Sequence, residues 1–406
     1  MKILLTGIGQ ANFLNQLYSK VIPLGKIDVH IIDMTFKSEA ERLQSEKIFK
    51  ILPTYKLEKN ILSYLLPFKS KFFWKLFFFF SISGKFKTFK TFKLFINAQI
   101  YQYNLAKMID SLGYDVIHHH YLTVHFGNFL LYLKKTKFIV SFWGSDLFRE
   151  SSYIDLFFKK QILDNAEKIT VATSDMQYNV MTKYGLSLRS KIKKLKFINN
   201  NQYFDTINKL TPSDIETNRK LLFPQVEQEL ILSFGHSGFK EENYEDLLNC
   251  IEKIDKNTTS KFHFLFVLTY GLDKDNLVSM INSKMSKLEI GYTILSKFLS
   301  HSELANYRSC VDAFIFAPQT DAFSGYLTEC FYQKVPVFVG SWLPYKEFIR
   351  MGIKYHDFDN FNDLKEMLIN IDDFVKSDYR GNREIVKQYF IESNDSVEWS
   401  KLYINA

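Results

Sequence analysis

The chain has 406 residues, a formal net charge of +8 and a composition that is 46% hydrophobic and 24% charged. This length is too great for one ordinary domain and suits two, each with its own hydrophobic core. The three cysteines, Cys250, Cys310 and Cys330, have no zinc-ligand spacing, so we expect neither a disulfide framework nor a zinc site. The first residues lack the basic region and long apolar stretch of a secretion signal. We therefore expect a cytoplasmic protein.

Short apolar strands alternate with helical stretches along the whole chain, which predicts an α/β fold with parallel sheets covered on both faces. The predicted strands lie at 3–5, 29–33, 116–118, 138–142 and 168–172, and then at 230–234, 262–268, 313–317 and 335–339. A polar stretch without strand character separates the two groups. We therefore predict a Rossmann-like domain at 1–205, a linker at 206–228 and a second Rossmann-like domain at 229–385. A C-terminal helix at about 386–406 is expected to pack back on the first domain.

A glycine turn follows the first strand of each predicted domain. Gly7 and Gly9 let the backbone approach an anion, although Asn12 stands where a dinucleotide fingerprint has its third glycine. Asp33 ends the second strand, where a dinucleotide enzyme places its ribose carboxylate, so an NAD-dependent oxidoreductase is one alternative. A tight turn with no ligand is another. In the second domain the turn is Gly235-His-Ser-Gly238, and we predict that His236, Ser237 and Lys240 contact a diphosphate.

The most informative stretch runs from Asp321 to Glu329. A buried strand leads into the loop that holds Asp321, Ser324 is a good N-cap, and Glu329 lies on the helix that follows. The amides of Gly325 and Tyr326 are then unpaired and directed at an anion. Two carboxylates on either side of an amide cluster suit a ligand made of a polyol, a diphosphate and a second polyol. A nucleotide sugar is such a ligand.

The spacing Asp321-x7-Glu329, followed by Lys-Val-Pro-Val, resembles the E-x7-E motif of the retaining GT-B glycosyltransferases, notably family 4. Further stretches resemble landmarks of that family, and they occur in the right order over most of the chain. These stretches are Asp115-Val-Ile-His-His-His120, Ser141-Phe-Trp-Gly-Ser-Asp146, Ile169-Thr-Val-Ala-Thr-Ser174, Leu299-Ser-His-Ser-Glu-Leu304 and Val311-Asp-Ala-Phe-Ile-Phe-Ala-Pro318. The resemblance implies a GT-B fold, in which two Rossmann-like domains face each other across a cleft, the first binding the acceptor and the second the nucleotide sugar.

The resemblance also implies a role for each matching residue. Glu329 holds the ribose hydroxyls, Asp321 lies by the donor sugar, and the amides of Phe323, Ser324 and Gly325 meet the distal phosphate. Gly9 lets the N-terminal loop close over the diphosphate, and His120 faces the sugar from the first domain. No Asp-x-Asp motif accompanies these residues, so we expect a nucleotide-sugar co-substrate and no metal or other cofactor.

Two positions depart from the family pattern. Asp321 is one methylene shorter than the usual glutamate, and His236 stands where the family has arginine. The Gly235–Gly238 turn also resembles that of the lipid-linked fucosamine transferases, which invert the sugar; under that alternative Asp146 is the candidate base. A GT-B sugar epimerase is a third possibility, and we favour retaining transfer. The alternative is that none of these residues contacts a ligand. Glu329 is then a solvated helix residue, Asp321 a turn former, and His118, His119 and His120 are polar residues at a strand end.

A basic aromatic segment, residues 68–95, contains eleven phenylalanines and seven lysines but no acidic residue. Rings interleaved with ammonium groups suit an anionic membrane surface. We predict that the membrane-facing residues are Lys71, Trp74, Lys75, Lys85, Lys87 and Lys90. A buried aromatic helix with snorkelling lysines is the alternative. The segment is also compatible with single-stranded nucleic acid, but no nucleic-acid fold signature accompanies it.

Together with these features, the resemblance implies a cytoplasmic transferase, peripheral on the inner face of the cytoplasmic membrane, that acts in bacterial surface polysaccharide synthesis. The expected partners are a nucleotide sugar, a glycan or lipid-linked acceptor and anionic lipid, and we expect no nucleic-acid partner.

Overall fold

The computed structural model describes residues 1–7, 12–25, 27–32, 39–53, 55–57, 61–149, 152–196, 201–226 and 229–404. The chain divides into two compact units. Unit 1 comprises residues 1–198 and 394–406, and unit 2 comprises residues 199–393.

Unit 1 is built on a seven-stranded sheet whose neighbouring strands are all parallel, in the order β3-β2-β1-β4-β5-β6-β7. Its strands are β1 (Lys2–Thr6), β2 (Asp28–Ile31), β3 (Lys50–Ile51), β4 (Val116–His120), β5 (Lys137–Ser141), β6 (Lys168–Val171) and β7 (Ile192–Lys194). Its helices are α1 (Asn12–Val21), α2 (Glu39–Glu46), α3 (Ile61–Leu65), α4 (Lys71–Ile82), α5 (Phe89–Ser111), α6 (Val124–Gly127), α7 (Ser145–Phe148), α8 (Tyr153–Asn165) and α9 (Ser174–Tyr184). Alternating strand residues such as Ile3 and Leu5 are buried against apolar residues of α1, as a sheet covered by helices requires.

Unit 2 has a six-stranded parallel sheet in the order β10-β9-β8-β11-β12-β13. Its strands are β8 (Leu230–Phe234), β9 (Phe262–Val267), β10 (Gly291–Leu295), β11 (Ala313–Phe316), β12 (Val337–Gly340) and β13 (His356–Phe358). Its helices are α10 (Asn201–Lys209), α11 (Pro212–Leu222), α12 (Tyr244–Ile251), α13 (Lys256–Thr259), α14 (Lys274–Leu288), α15 (His301–Ser309), α16 (Gly325–Tyr332), α17 (Lys346–Arg350), α18 (Phe361–Ile369), α19 (Ile371–Val375) and α20 (Arg380–Val386). The two parallel sheets confirm the predicted α/β fold class.

The predicted linker at 206–228 is not a linker in the structure, because α10 and α11 belong to unit 2. Tyr203, Phe204 and Ile207 are buried on one face of α10, and this packing outweighs the polar composition of the stretch. On α11, Arg219 donates to the carboxylate of Asp312 at 3.0 Å. The division therefore falls near residue 198 rather than at 206.

The last helix, α21 (Asp395–Ile404), lies in unit 1 and begins later than the predicted 386. Trp399, Leu402 and Tyr403 are buried in the same cluster as α1 and the sheet. The indole of Trp399 donates to the carbonyl oxygen of Lys196 at 2.9 Å. Residues 386–393 instead end unit 2, where Phe390 is buried.

Candidate functional site

In unit 2, two neighbouring strands end side by side and lead into the two loops that sequence reasoning selected. β8 pairs with β11, and the turn 235–238 follows β8 while the Asp321 loop follows β11. The side-chain amide of Asn243 donates to the carbonyl oxygen of Ala317 at 2.8 Å, and the amide of Gln319 donates to the carbonyl oxygen of Glu241 at 2.7 Å. These bonds hold both loops at the carboxyl edge of the sheet, which is where open α/β sheets bind ligands.

The turn 235–238 needs glycine at both ends. Gly235 has a φ of +73°, and a Cβ there would lie 2.1 Å from the hydroxyl oxygen of Tyr244. A Cβ on Gly238 would lie 2.9 Å from the Cα of Lys274. The same Tyr244 hydroxyl donates to the carbonyl oxygen of Ser237 at 2.8 Å, which ties the turn to α12. Lys240 follows as an exposed residue.

His236 lies between carboxylates. Its Nδ1 is 3.1 Å from Oε1 of Glu242, and its ring stacks on that of Tyr326 at 5.4 Å. Burial lowers the pKa of His236, but the carboxylates of Glu242 and Asp321 outweigh burial, and the pKa is raised above its ordinary value. The Ser237 hydroxyl donates to Glu242 at 2.6 Å, so this side chain is already engaged.

Asp321 is held by two hydrogen bonds in its loop. The Tyr345 hydroxyl donates to Oδ2 at 2.5 Å, and the amide of Ala322 donates to Oδ1 at 2.7 Å. Burial raises the pKa of Asp321, and the hydrogen bond from Tyr345 and the charge of His236 offset this only in part. His236 and Asp321 thus form an electrostatically coupled pair at the ends of adjacent strands.

The amino end of α16 has the form that the sequence indicates. The Ser324 hydroxyl accepts from the amide of Leu327 at 3.3 Å and caps the helix. Among the residues that the structure describes, the amides of Gly325 and Tyr326 have no hydrogen-bond partner. The ring of Phe323 packs against that of Phe348 at 5.3 Å, so the ring faces the core of unit 2 and not a ligand.

Glu329 is paired with a buried arginine that sequence reasoning missed. Nη1 of Arg308 donates to Oε2 of Glu329. Arg308 is 3% exposed, and its guanidinium lies 4.5 Å from the ring centroid of Tyr326 and 5.5 Å from that of Tyr203. Burial lowers the pKa of Arg308, but Glu329 together with Tyr203, Cys330 and Tyr326 outweighs burial, and the pKa is raised. Glu242, also missed, is buried beside His236. No local motif marks either residue.

In unit 1, His120 is fully buried, with its Nε2 2.9 Å from the hydroxyl oxygen of Tyr18. Its ring stacks on His118 at 3.9 Å and lies 5.5 Å from Trp143. Burial lowers the pKa of His120 well below its ordinary value, and it lowers the pKa of His118 and His119 to about 3. His118 and His120 lie on one face of β4 with Tyr18, whereas His119 lies on the other face with Thr6 and Phe129. This burial suits a packing role better than contact with a sugar.

Asp146 fixes the loop after β5. Its Oδ1 accepts from the amides of Trp143 and Gly144 at 2.9 and 2.8 Å, and its Oδ2 accepts from the amide of Leu122 at 2.9 Å. The side chain is fully buried, and burial raises its pKa to about 6. Both oxygens are occupied, so the geometry favours a structural role over the predicted role of a base.

Gly9 and Asp33 lie outside the described residues, so the N-terminal glycine turn is represented by Gly7 alone. Gly7 has a φ of +96°, and a Cβ there would lie 2.1 Å from the carbonyl oxygen of His120. Glycine is therefore required where β1 ends. Within the described part of the chain, no cluster of three or more His, Cys, Asp or Glu residues has the geometry of a metal site.

The basic aromatic segment folds into α4 and the first part of α5. Some of its rings are buried, as Phe73 and Phe95 are, whereas Trp74, Phe78 and Phe89 are 43%, 59% and 79% exposed. The predicted lysines of the segment are exposed as well: Lys71, Lys75, Lys85, Lys87 and Lys90. No described helix is long and apolar enough to cross a membrane.

Both the sequence and the fold are similar to those of known proteins. Residues 80–175 match the family model described as glycosyl transferase 4-like. No curated protein matches the sequence.

Among solved structures, HepE of Anabaena in complex with UDP and glucose superposes with a TM-score of 0.66 at 12% identity, over 100% of this chain and 98% of that chain. A glycosyltransferase of Rickettsia africae gives a TM-score of 0.67 at 16% identity, over 99% and 97% of the two chains. WaaG, a glycosyltransferase of lipopolysaccharide biosynthesis, gives 0.62 at 9% identity, over 99% of each chain. These findings confirm the predicted GT-B fold and the resemblance to glycosyltransferases of the family 4 type.

Proposed function

We propose that the protein is a glycosyltransferase that moves a sugar from a nucleoside diphosphate sugar to a hydroxyl of a lipid-linked glycan acceptor. The assignment of a nucleoside diphosphate sugar as the donor rests on the carboxyl edge of the sheet in unit 2. There His236 and Asp321 are electrostatically coupled, and two amides of α16 have no partner among the described residues. The structural neighbour HepE binds UDP and UDP-glucose, which supports a nucleotide sugar as the donor.

The diphosphate is assigned to the amides of Gly325 and Tyr326, because unpaired amides at a helix start bind anions. Lys240 is exposed after the neighbouring turn and supplies a cation. Charge that develops on the leaving diphosphate is then stabilised by fixed donors. We expect no metal to be required.

The ribose is assigned to Glu329, which lies on the same helix as those amides. Arg308 contacts Oε2 of this carboxylate, which leaves Oε1 to accept from a ribose hydroxyl. Arg308 also fixes the orientation of the carboxylate before the ligand arrives, and such preorganisation improves affinity.

The sugar is assigned to Asp321 and His236. We propose that transfer retains the anomeric configuration, on two grounds. The Asp321-x7-Glu329 spacing resembles that of retaining enzymes, and Asp146, the candidate base for inversion, has both oxygens occupied by amides.

We further propose that the enzyme works at the inner face of the cytoplasmic membrane, in surface polysaccharide synthesis. Exposed Trp74, Phe78 and Phe89 among exposed lysines support docking on anionic lipid.

A thermal-shift screen against UDP-, GDP- and dTDP-sugars and NAD(P) tests the donor assignment. We expect one class of nucleotide sugar to raise the melting temperature, because a ligand that binds only the folded state stabilises it. Glu329→Gln should weaken that ligand about tenfold or more, whereas the exposed control Glu366→Gln should not. Stabilisation by dinucleotides alone would refute the proposal.

A further inference from the structure

The imidazole of His236 has one enclosed nitrogen and one open nitrogen. Nδ1 is buried and lies 3.1 Å from Oε1 of Glu242. The ring packs against those of Tyr326 and Phe316, at 5.4 and 5.7 Å, yet the side chain is 24% exposed. Among the described residues Nε2 has no hydrogen-bond partner and, unlike Nδ1, is not enclosed. Nε2 is therefore the nitrogen that a ligand can reach.

Glu242 is a buried carboxylate that needs a compensating charge. Its side chain is 6% exposed. Oε1 accepts from the Ser237 hydroxyl at 2.6 Å and contacts His236, whereas Oε2 has no hydrogen-bond partner among the described residues. A buried carboxylate is costly unless it is paired with an opposite charge. The Ser237 hydroxyl is neutral, so the contacting group that can carry this charge is the imidazole of His236.

The buried arginine of this edge is engaged elsewhere. Nη1 of Arg308 donates to Glu329, and its guanidinium lies over the ring of Tyr326. Arginine stays charged at every relevant pH, whereas the charge of a histidine changes near neutral pH. The raised pKa of His236 agrees with its position between carboxylates.

Five groups that can carry a charge face His236 from the elements around it. Burial raises the pKa of the two tyrosines among them, so both are neutral near pH 7. The five are Glu242 before α12, Asp321 after β11, Arg308 on α15, Tyr326 on α16 and Tyr270 after β9.

The position of His236 suits the phosphate of the donor that lies next to the sugar. Its ring stacks on Tyr326, whose amide is one of the two amides assigned to the diphosphate. An imidazolium donates a charge-assisted hydrogen bond to a phosphate oxygen, and such bonds are stronger than those of a neutral ring. With a neutral ring, the anionic donor would instead meet the uncompensated charges of Glu242 and Asp321. Protonation of His236 should therefore favour binding of the donor.

We infer that Glu242 makes donor binding depend on pH, by holding His236 as an imidazolium whose Nε2 meets the phosphate next to the sugar. Glu242 is then a positioning residue, because it acts on the donor through His236. The inference rests on the proposed function and adds to it a pH dependence that a permanent cation at residue 236 would not have.

Calorimetric titration of the full-length protein with UDP-, GDP- and dTDP-glucose tests the inference between about pH 6 and 8.5, the range in which histidines titrate. Intact nucleotide sugars are chosen because their phosphates do not titrate in this range. We expect wild-type affinity to fall about tenfold as the pH rises, since a charge-assisted hydrogen bond is lost. Binding near the upper end of the range should take up protons, as linkage requires.

The wild type alone separates the two claims. If none of the three nucleotide sugars binds near pH 6, the proposed function is overturned. If one binds with an affinity that is constant over the range and without proton uptake, the inference is overturned and the donor site remains.

Substitutions identify the group responsible, and the unfolding curve of each variant shows whether it is folded. His236→Arg should bind with an affinity that stays within about twofold over the range, because arginine keeps its charge. His236→Gln should bind more weakly and lose the pH dependence; if it keeps the full dependence, Asp321 is the titrating group and the inference is overturned.

Glu242→Gln should move the midpoint of the affinity change to lower pH, because His236 loses the carboxylate that favours its charged form. Glu245→Gln is the matched control, since Glu245 is exposed on α12, and it should leave the midpoint unchanged. Tighter binding of Glu242→Gln at every pH with an unchanged midpoint would mean that Glu242 only repels the donor, and would overturn its positioning role.

Discussion

The guanidinium of Arg308, on α15, is paired with the carboxylate of Glu329, on α16, and lies over the ring of Tyr326. Tyr326 in turn stacks on His236, the residue that stands where the related family has arginine. A buried cation therefore lies next to His236's stacking partner, on a different element of unit 2.

Arg308→Met should destabilise the protein and weaken nucleotide binding together. Removing one partner of a buried ion pair costs about 3 to 5 kcal/mol, because the other charge is left without compensation. The loss of orientation at Glu329 should also lower the affinity for the nucleotide sugar. Urea unfolding and calorimetric titration measure the two effects.

The exposed Arg350→Met serves as the control for this prediction. In the double variant Arg308→Met, Glu329→Met, most of the stability should return, because apolar residues replace a buried pair at little cost. A double variant that loses the sum of the two single losses would contradict a coupled pair.

His236 should titrate above 6.5, its ordinary pKa, because nearby carboxylates outweigh burial. With a raised pKa in the folded state, its contribution to stability is fully present below pH 6.5 and is lost as the pH rises through the folded-state value. Glu242→Gln removes the largest favourable charge, so burial should then bring the pKa of His236 below 6.5. Proton NMR of the imidazole ring measures the titration midpoint of His236 in the wild type and in Glu242→Gln. Glu241→Gln is the adjacent control, and a similar fall in both variants would show that Glu242 is not the cause.

Asp146→Asn should reduce stability, because the Asn amide group must either face the amide of Leu122 or displace the amides of Trp143 and Gly144. An unsatisfied buried donor costs about 1 to 3 kcal/mol. The raised pKa of Asp146, about 6, adds a pH dependence. Its contribution is present below the ordinary value of 3.8 and is lost as the pH rises through about 6. The wild type should therefore gain stability relative to the variant as the pH falls from 6 to 4.

Unfolding at several pH values measures this difference, with the exposed Asp164→Asn as the control. Should Asp146→Asn abolish transfer while leaving the unfolding curve unchanged, the residue is a base after all.

Replacing Lys85, Lys87, Lys90 and Lys93 by glutamate should release the protein from anionic liposomes. Each lysine near such a surface contributes about 1 kcal/mol, so four losses should lower partitioning about a thousandfold. The matched control replaces four other exposed lysines of unit 1: Lys134, Lys135, Lys137 and Lys193. Liposome sedimentation at low and high salt is the measurement, and equal binding of both variants would place the membrane contact elsewhere.

The features predictable from the sequence are those encoded locally. Ser324 caps α16 because a hydroxyl residue precedes a helical run, and the alternation of strands and helices predicts both sheets. The Arg308 pair and the burial of Glu242 were not predictable, because each depends on packing between separate elements. The same holds for α10, whose polar composition concealed a buried aromatic face. For the aromatic segment the sequence leaves a membrane surface and a buried helix as alternatives, and packing divides its rings between the core and solvent.

The most direct test of the central claim is a transfer assay. Purified protein is incubated with labelled UDP-, GDP- and dTDP-sugars and a prenyl diphosphate sugar acceptor, and label in the organic phase is measured. We expect one donor to label the acceptor, with transfer lowered at least a hundredfold in Asp321→Asn and at least tenfold in Glu329→Gln at a fixed donor concentration. Transfer at wild-type rate by both variants would contradict the donor site at Asp321 and Glu329.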